Sequence, residues 1–88
     1  MNVEYRKRFL EELARIPTPQ RTKIEVYVFE ELPALKSISE SRAIERMKGY
    51  PSYYKIRFGS YRVGLKLEDD TVILERVLHR KEIYRYFP

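Results

Sequence analysis

Two arginines, Arg57 and Arg62, flank the two-residue turn Gly59-Ser60 in a segment that has the pattern of a β-hairpin. A Gly-X turn of this length favours a type II′ hairpin, and it pairs Arg57 directly with Arg62 across the two strands. Like charges placed opposite each other destabilise a sheet, so folding alone gives no reason for this pair. An anionic ligand does, because guanidinium groups bind phosphate through planar, bidentate hydrogen bonds.

The same register gives the hairpin an apolar face and a cationic face. The apolar face carries Tyr54, Ile56, Phe58, Tyr61, Val63 and Leu65, and the cationic face carries Tyr53, Lys55, Arg57, Arg62, Gly64 and Lys66. Gly64, opposite Lys55, indicates either a groove where phosphate approaches the backbone or a β-bulge. A second two-residue turn, at Asp69-Asp70, predicts that Arg62 also pairs with Val77 and that Glu75, Val77 and His79 share the cationic face.

The apolar spacing along the rest of the chain predicts the elements that hold this hairpin. Met1–Tyr5 alternates between apolar and polar residues, which predicts a short strand. Two helices follow. The first covers Arg6–Ile16, and the second is capped by Thr18, has Pro19 at its first position and ends at Pro33.

Each predicted helix has one apolar stripe to bury against the sheet. The stripes consist of Phe9, Leu10, Leu13 and Ile16 in the first helix and of Ile24, Tyr27, Val28 and Leu32 in the second, widened by Val26 and Phe29. The acidic pairs Glu11-Glu12 and Glu30-Glu31 are predicted to lie on solvated helix faces or on a surface for a partner.

The second half of the chain is predicted to complete the sheet. Ala34–Pro51 has the pattern of a connection, with a short helical turn at Arg42–Met47, whereas Thr71–Leu78 is apolar on both faces, as in a central strand. Arg80–Phe87 forms a short helical or extended tail. The order β-α-α-β-β-β predicts an α+β fold, with two helices packed on one face of a small, mainly antiparallel sheet, in a single domain over residues 1–88.

Composition limits the classes of partner. The net charge is +5, and the chain has no cysteine, so it can form neither disulfides nor thiolate metal sites. No apolar run has the length of a membrane span, and we expect a cytoplasmic protein with no membrane partner. Between residues 42 and 66 the cations are opposed by Glu45 alone. Such a field attracts nucleic acid or an acidic protein, although a solvated basic surface is the simpler alternative.

Two segments in order resemble the RelE/ParE toxin superfamily, and most closely its RelE branch. They are Met47–Val63, with the sequence MKGYPSYYKIRFGSYRV, and Val77–Arg85, with the sequence VLHRKEIYR. The resemblance covers essentially the whole chain. It implies cleavage of messenger RNA in the ribosomal A site and inhibition by a cognate antitoxin encoded beside the toxin. It leaves open that the toxin–antitoxin complex binds operator DNA through the antitoxin.

The resemblance also assigns site residues. The family's two basic strand residues fall on Lys55 and Arg57, its next arginine on Arg62, the arginine after the last strand on Arg80 and its C-terminal tyrosine on Tyr84. Arg57 stands where the best-known members have lysine, and no acidic residue aligns with the glutamate base of certain relatives. His79 stands where some branches have a catalytic histidine. Further RNA contacts are expected from Lys48, Tyr53, Lys66, Lys81 and Arg85.

The implied reaction needs neither a metal nor another cofactor. A ribose 2′-oxygen attacks its own 3′-phosphate, the 5′-oxygen leaves, and a 2′,3′-cyclic phosphate forms. Arginine cannot act as a base at neutral pH, so Arg57, Arg62 and Arg80 are assigned to charge stabilisation. Lys55 is the candidate base, because neighbouring cations disfavour a charged lysine. Tyr84 stacks on a base or polarises a hydroxyl.

Alternatives remain open for individual residues and for the function. His79 is either the general acid or a surface or capping histidine, and Tyr53 either stacks on RNA or covers Lys66 by a cation–π contact. Tyr86 and Phe87 are better assigned to anchoring the tail than to touching substrate. The rival functions are a ParE-type inhibitor of DNA gyrase, a class that generally lacks the full basic cluster, and a non-catalytic module that binds antitoxin or RNA.

Overall fold

A computed structural model describes residues 1–88, and its five strands form one sheet in the order β1-β5-β4-β3-β2. The strands are β1 (Asn2–Tyr5), β2 (Ile44–Met47), β3 (Tyr50–Phe58), β4 (Tyr61–Glu68) and β5 (Thr71–His79). Strand β1 runs parallel to β5, and the other neighbours are antiparallel. The predicted α+β class is therefore correct, but the sheet has one strand more than the sequence predicted.

The helical elements are short. They are α1 (Lys7–Ala14), α2 (Gln20–Val26), a π-helical turn (Tyr27–Glu31), α3 (Leu32–Ala34), a 3₁₀ turn (Ile38–Glu40) and α4 (Ile83–Tyr86). Two predicted boundaries are wrong: Thr18 does not cap α2, which starts after Pro19 without a side-chain cap, and Pro33 lies within α3. No helix here combines the length and the apolar content that crossing a bilayer requires.

The main core lies between the helices and one face of the sheet. Helix residues Phe9, Leu13, Ile16, Ile24, Val28 and Leu32 pack against sheet residues Tyr54, Ile56, Val63, Leu65, Val72, Leu74 and Val77. Leu10, Val26 and Phe29, which the sequence placed in or beside the buried stripes, are 40–42% exposed. The set of helix residues that is buried against the sheet is therefore smaller than the set of apolar residues on the same helices.

Strand β2 replaces the helical turn that the sequence predicted at Arg42–Met47. Its residues pair antiparallel with β3, from Ile44 opposite Ile56 to Met47 opposite Tyr50. A single helical turn is unstable alone, whereas the otherwise free edge of β3 offers a complete set of backbone partners to an extended segment. Extended geometry therefore prevails in this segment.

The β3–β4 hairpin has the predicted register. Tyr53 pairs with Lys66, Lys55 with Gly64 and Arg57 with Arg62. Gly59 adopts φ +59°, the left-handed conformation that suits glycine at this turn.

The predicted register between β4 and β5 is wrong beyond Leu74. A bulge between Gly64 and Leu65 shifts the pairing, so that Arg62 lies opposite Leu78 and Val63 opposite Val77. The β5 strand has the extra residue, Glu75. Val77 consequently enters the main core instead of the cationic face.

The buried carboxylate of Glu12 stabilises β5 at this bulge. Its oxygens accept hydrogen bonds from Arg76 Nε at 3.0 and 3.1 Å and from Arg76 Nη2 at 2.6 Å. Glu12 Oε1 also accepts the backbone N–H of Val77 at 3.1 Å, a donor that β1 is too short to reach. The prediction that Glu12 is solvated is therefore wrong, because this carboxylate supplies the missing backbone partner.

Candidate functional site

The cationic face of the β3–β4 hairpin brings Lys55, Arg57 and Arg62 together opposite the helices. Arg57 and Arg62 are direct cross-strand partners, which places their Cβ atoms about 5 Å apart. Lys55 precedes Arg57 by two residues, so strand alternation directs both side chains to the same face. The geometry therefore creates the like-charged pair that the sequence predicted.

The guanidinium of Arg62 is held by the hairpin turn. Its Nη1 donates to the carbonyl oxygens of Gly59 at 2.7 Å and of Tyr61 at 2.9 Å. No carboxylate pairs with it, so its charge is not neutralised within the chain. Nη2 and Nε make no hydrogen bond in the protein and are available to an anion.

Glu45 on β2 is an acidic neighbour whose position the sequence did not reveal. It lies opposite Lys55, and its Oε2 is 3.9 Å from Arg57 Nε, the outer limit of an ion pair. The side chain of Arg57 is still 61% exposed. Only the structural assignment of β2 locates this carboxylate, because the sequence pattern predicted a helical turn there.

Lys55 contacts Tyr84 of α4. Its Nζ donates to the Tyr84 hydroxyl at 3.1 Å and lies 5.4 Å from the centre of the tyrosine ring. The tyrosine is 54% exposed, so this pair faces solvent on the cationic side. The structure thus joins two of the predicted site residues that are 29 positions apart in sequence.

Arg80 and His79 are consecutive in sequence but have different neighbours. The backbone N–H of Arg80 donates to Ser60 O at 2.8 Å, which places this exposed arginine beside the hairpin turn. His79 instead pairs with Tyr61 on the helix side, where the two rings are 5.7 Å apart. Its Nδ1 accepts the backbone N–H of Lys81 at 3.2 Å, which is the capping alternative. The predicted placement of His79 on the cationic face is wrong.

The residues predicted to contact RNA differ in whether their side chains are free to bind it. Lys66 is paired with Glu68 at 3.2 Å and lies 5.5 Å from the Tyr53 ring centre, so the cation–π alternative for Tyr53 is present. The hydrogen bond that Lys66 donates to the Glu68 carboxylate raises the pKa of Lys66, which therefore stays protonated at neutral pH. Lys48 lies in the β2–β3 turn, roughly 20 Å along β3 from Arg57. Lys81 and Arg85 are exposed.

The space above Gly64 is filled, so the predicted phosphate groove is absent there. The Phe87 ring lies directly over this glycine. Phe87 forms a small second cluster with Met47 and Ile83, bordered by Tyr53 and Leu78. The open part of the cationic face is therefore the end near the hairpin turn, around Lys55, Arg57, Arg62, Arg80 and Tyr84.

This arrangement has the parts needed to act on a phosphodiester. Two guanidinium groups with free N–H donors can neutralise charge on a phosphorane, and a lysine, a tyrosine and a carboxylate lie beside them as proton-transfer groups. No three His, Asp or Glu side chains are grouped to hold a metal ion.

Comparison with known proteins gives a consistent set of relatives. The model of a family described as "ParE toxin of type II toxin-antitoxin system, parDE" matches residues 3–84. A protein named Toxin RelE3, from Methanocaldococcus jannaschii, is 42% identical over 89 residues, covering all of both chains.

Solved structures with the same fold include toxins alone and in complexes. The toxin-like chain in a crystal structure of a RelB-RelE antitoxin-toxin complex from Methanococcus jannaschii is 38% identical, with a TM-score of 0.78 over 97% of this chain and 99% of that one. The isolated E. coli RelE toxin is 21% identical, with a TM-score of 0.68 over 96% and 90% of the two chains, and so shares the fold.

Proposed function

This chain belongs to the RelE/ParE toxin superfamily of toxin–antitoxin systems, and from that premise we propose that it is a ribosome-dependent endoribonuclease acting as a single domain. It cleaves messenger RNA in the A site by attack of a ribose 2′-oxygen on the adjacent phosphodiester, without a metal. The observation that carries this proposal is the Arg57–Arg62 pair on one face of the sheet. Arg62 has no carboxylate partner, and Arg57 meets Glu45 only at 3.9 Å, so both guanidinium groups keep free N–H donors.

The proposed roles follow from the reach of each side chain. Arg57 and Arg62 bind the scissile phosphate, and Arg80 adds a third cation beside the hairpin turn. Tyr84, held by Lys55, stacks on the neighbouring base or polarises the 2′-hydroxyl. His79 lies on the other face, so this structure gives it no direct path to the phosphate and supports the capping alternative.

Two groups compete for the role of proton acceptor. Lys55 lies on the cationic face beside Arg57, and Glu45 presents a carboxylate directly across from it. Replacing the base should lower the rate of the chemical step far more than RNA affinity. We therefore expect one of Glu45→Gln and Lys55→Met to reduce the single-turnover rate by about 10²-fold or more, and the other by much less.

The proposed partners are the ribosome with its messenger RNA and a cognate antitoxin. The RelB-RelE complex of the archaeal relative supports the antitoxin as a partner here. An antitoxin of this kind can also carry the complex to operator DNA. A cytoplasmic location follows, because the ribosomal substrate is found there.

Induced expression with and without the neighbouring antitoxin, followed by mapping of messenger RNA 5′ ends on ribosomes, tests the proposal. Codon-phased cuts that the antitoxin suppresses are the expected result. Intact messenger RNA with trapped gyrase–DNA complexes would instead indicate a ParE-type inhibitor. Intact messenger RNA with tight antitoxin binding and normal growth would indicate a non-catalytic module.

Salt dependence tests the electrostatic contact with RNA. Binding of a model RNA whose cleavage is blocked by a 2′-deoxy sugar should weaken steeply as salt rises, with a log–log slope of about −0.7 for each phosphate contact. Arg57→Ala should make the slope shallower by about 0.7, whereas Lys23→Ala, which removes a helix cation, should not change it. A slope near zero for the unmodified chain would contradict this binding mode.

A further inference from the structure

The ring of Phe87 fits into a space that exists only because residue 64 is glycine. A Cβ atom built on Gly64 would lie 2.6 to 2.7 Å from three ring carbons of Phe87. Non-bonded carbon atoms do not approach that closely, so even alanine at this position would force the ring away. Phe87 is only 4% exposed, although it lies next to the last residue of the chain.

The single turn of α4 depends on this packing of the Phe87 ring over Gly64. Four helical residues are too few to be stable alone, so side-chain packing must hold the turn in place. Ile83 and Phe87 supply that packing against Met47, and Phe87 N donates to Ile83 O at 2.9 Å. The Tyr53 ring meets the Phe87 ring edge-on at 5.5 Å.

Tyr84 lies between these two anchors and contributes little packing of its own. It is more than half exposed, and its hydroxyl meets Lys55 Nζ. Gly64 is the cross-strand partner of the same lysine. Gly64, over which the Phe87 ring packs, therefore lies directly across from Lys55, the residue that Tyr84 contacts.

We propose that Gly64 and Phe87 are positioning residues, which hold Tyr84 against Lys55 by seating the Phe87 ring on the bare backbone of β4. The catalytic consequence rests on the proposed nuclease function, whereas the positioning itself does not. The main core lies on the other face of the sheet, so displacement of the tail should leave the rest of the fold in place.

The test compares Gly64→Ala, Phe87→Ala and the double variant in the full chain. The first readout is the nuclear Overhauser effect between the Lys55 and Tyr84 side chains, and the second is the single-turnover rate on ribosome-bound messenger RNA. Both single variants should lose the Overhauser effect and about 10- to 100-fold in rate, because small misplacements of reacting groups cost that much. The double variant should be no slower than the singles, since both changes unseat the same ring.

Phe29→Ala is the matched control, because it removes an exposed phenylalanine from the helix side and should change neither readout. If Gly64→Ala keeps both the contact and the rate, or if the losses in the double variant multiply, the proposal is wrong. If the unmodified chain cleaves no RNA but both variants lose the Overhauser effect, the positioning holds and the nuclease function fails.

Discussion

Arg62→Ala should reduce the single-turnover rate of messenger RNA cleavage by about 10²- to 10³-fold and abolish growth arrest on induction. That is the usual effect of removing one preorganised donor from a transition-state anion. The preorganisation is visible, because two carbonyl oxygens of the hairpin turn hold Nη1 and leave the other guanidinium donors free. Arg62→Lys should recover only part of the rate, since lysine keeps the charge but lacks the planar pair of donors.

The loss must be separated from any change in stability. Arg62 makes its two hydrogen bonds at the surface, so its replacement should lower the free energy of unfolding by no more than about 1 kcal/mol. Lys23→Ala on α2 removes one positive charge far from this face and should retain full activity. Arg80→Ala should resemble Arg62→Ala. If both arginine variants still arrest growth, the assignment of the site is wrong.

Glu12→Ala should produce the largest loss of stability of any single substitution discussed here, about 3 kcal/mol. It leaves the guanidinium of Arg76, whose side chain is only 15% exposed, without its ion pair, and it leaves the Val77 N–H without an acceptor. Removing one partner of a buried pair has this order of effect. For a domain of this size the melting temperature should fall by roughly 12 to 24 °C, measured by circular dichroism.

Glu11→Ala provides the control, because it removes an identical side chain one position earlier, on the exposed face of α1. Its free energy of unfolding should change by less than about 0.5 kcal/mol. Equal losses in the two variants would show that helix charge matters and that the buried ion pair does not.

The part of the site that depends on local turn chemistry was predictable from the sequence. Gly59-Ser60 sets the register of β3 and β4, so the pairings of Arg57 with Arg62 and of Lys55 with Gly64 followed from counting outward from the turn. Tyr84 was assigned to the same site by the family resemblance and not by the turn. Its hydrogen bond with Lys55 confirms that the two are neighbours.

The features that depend on distant contacts were missed. The bulge in β5 has a weak signal in the sequence. Side chains on one face of a regular strand are two residues apart, but the core residues Val72, Leu74 and Val77 include a gap of three, so the strand must contain one extra residue. That shift is what moves His79 to the helix side. The local sequence does not distinguish buried Glu12 from exposed Glu11. Glu12 is buried because its carboxylate accepts the backbone N–H of Val77, about 65 residues away, at the edge of β5.

The role of Gly64 also needed three-dimensional information. A glycine opposite a lysine suggests an open approach to the backbone, and the sequence favoured phosphate or a bulge as the explanation. The bulge does lie beside it, but the open space is taken by the Phe87 ring. The sequence identified the strand that contains Gly64 and the tail that contains Phe87. Their contact depends on the tail folding back across the sheet, which the sequence did not show.

The chemistry of the cut RNA ends tests the proposed cleavage reaction most directly. Purified chain is added to ribosomes holding a defined messenger RNA, and the fragments are analysed for their terminal groups, with Arg62→Ala in parallel. The expected products are A-site fragments that end in 2′,3′-cyclic phosphate or begin with 5′-hydroxyl, with almost none formed by the variant. Uncut messenger RNA, fragments with 5′-phosphate ends, or equal cleavage by the variant would contradict it.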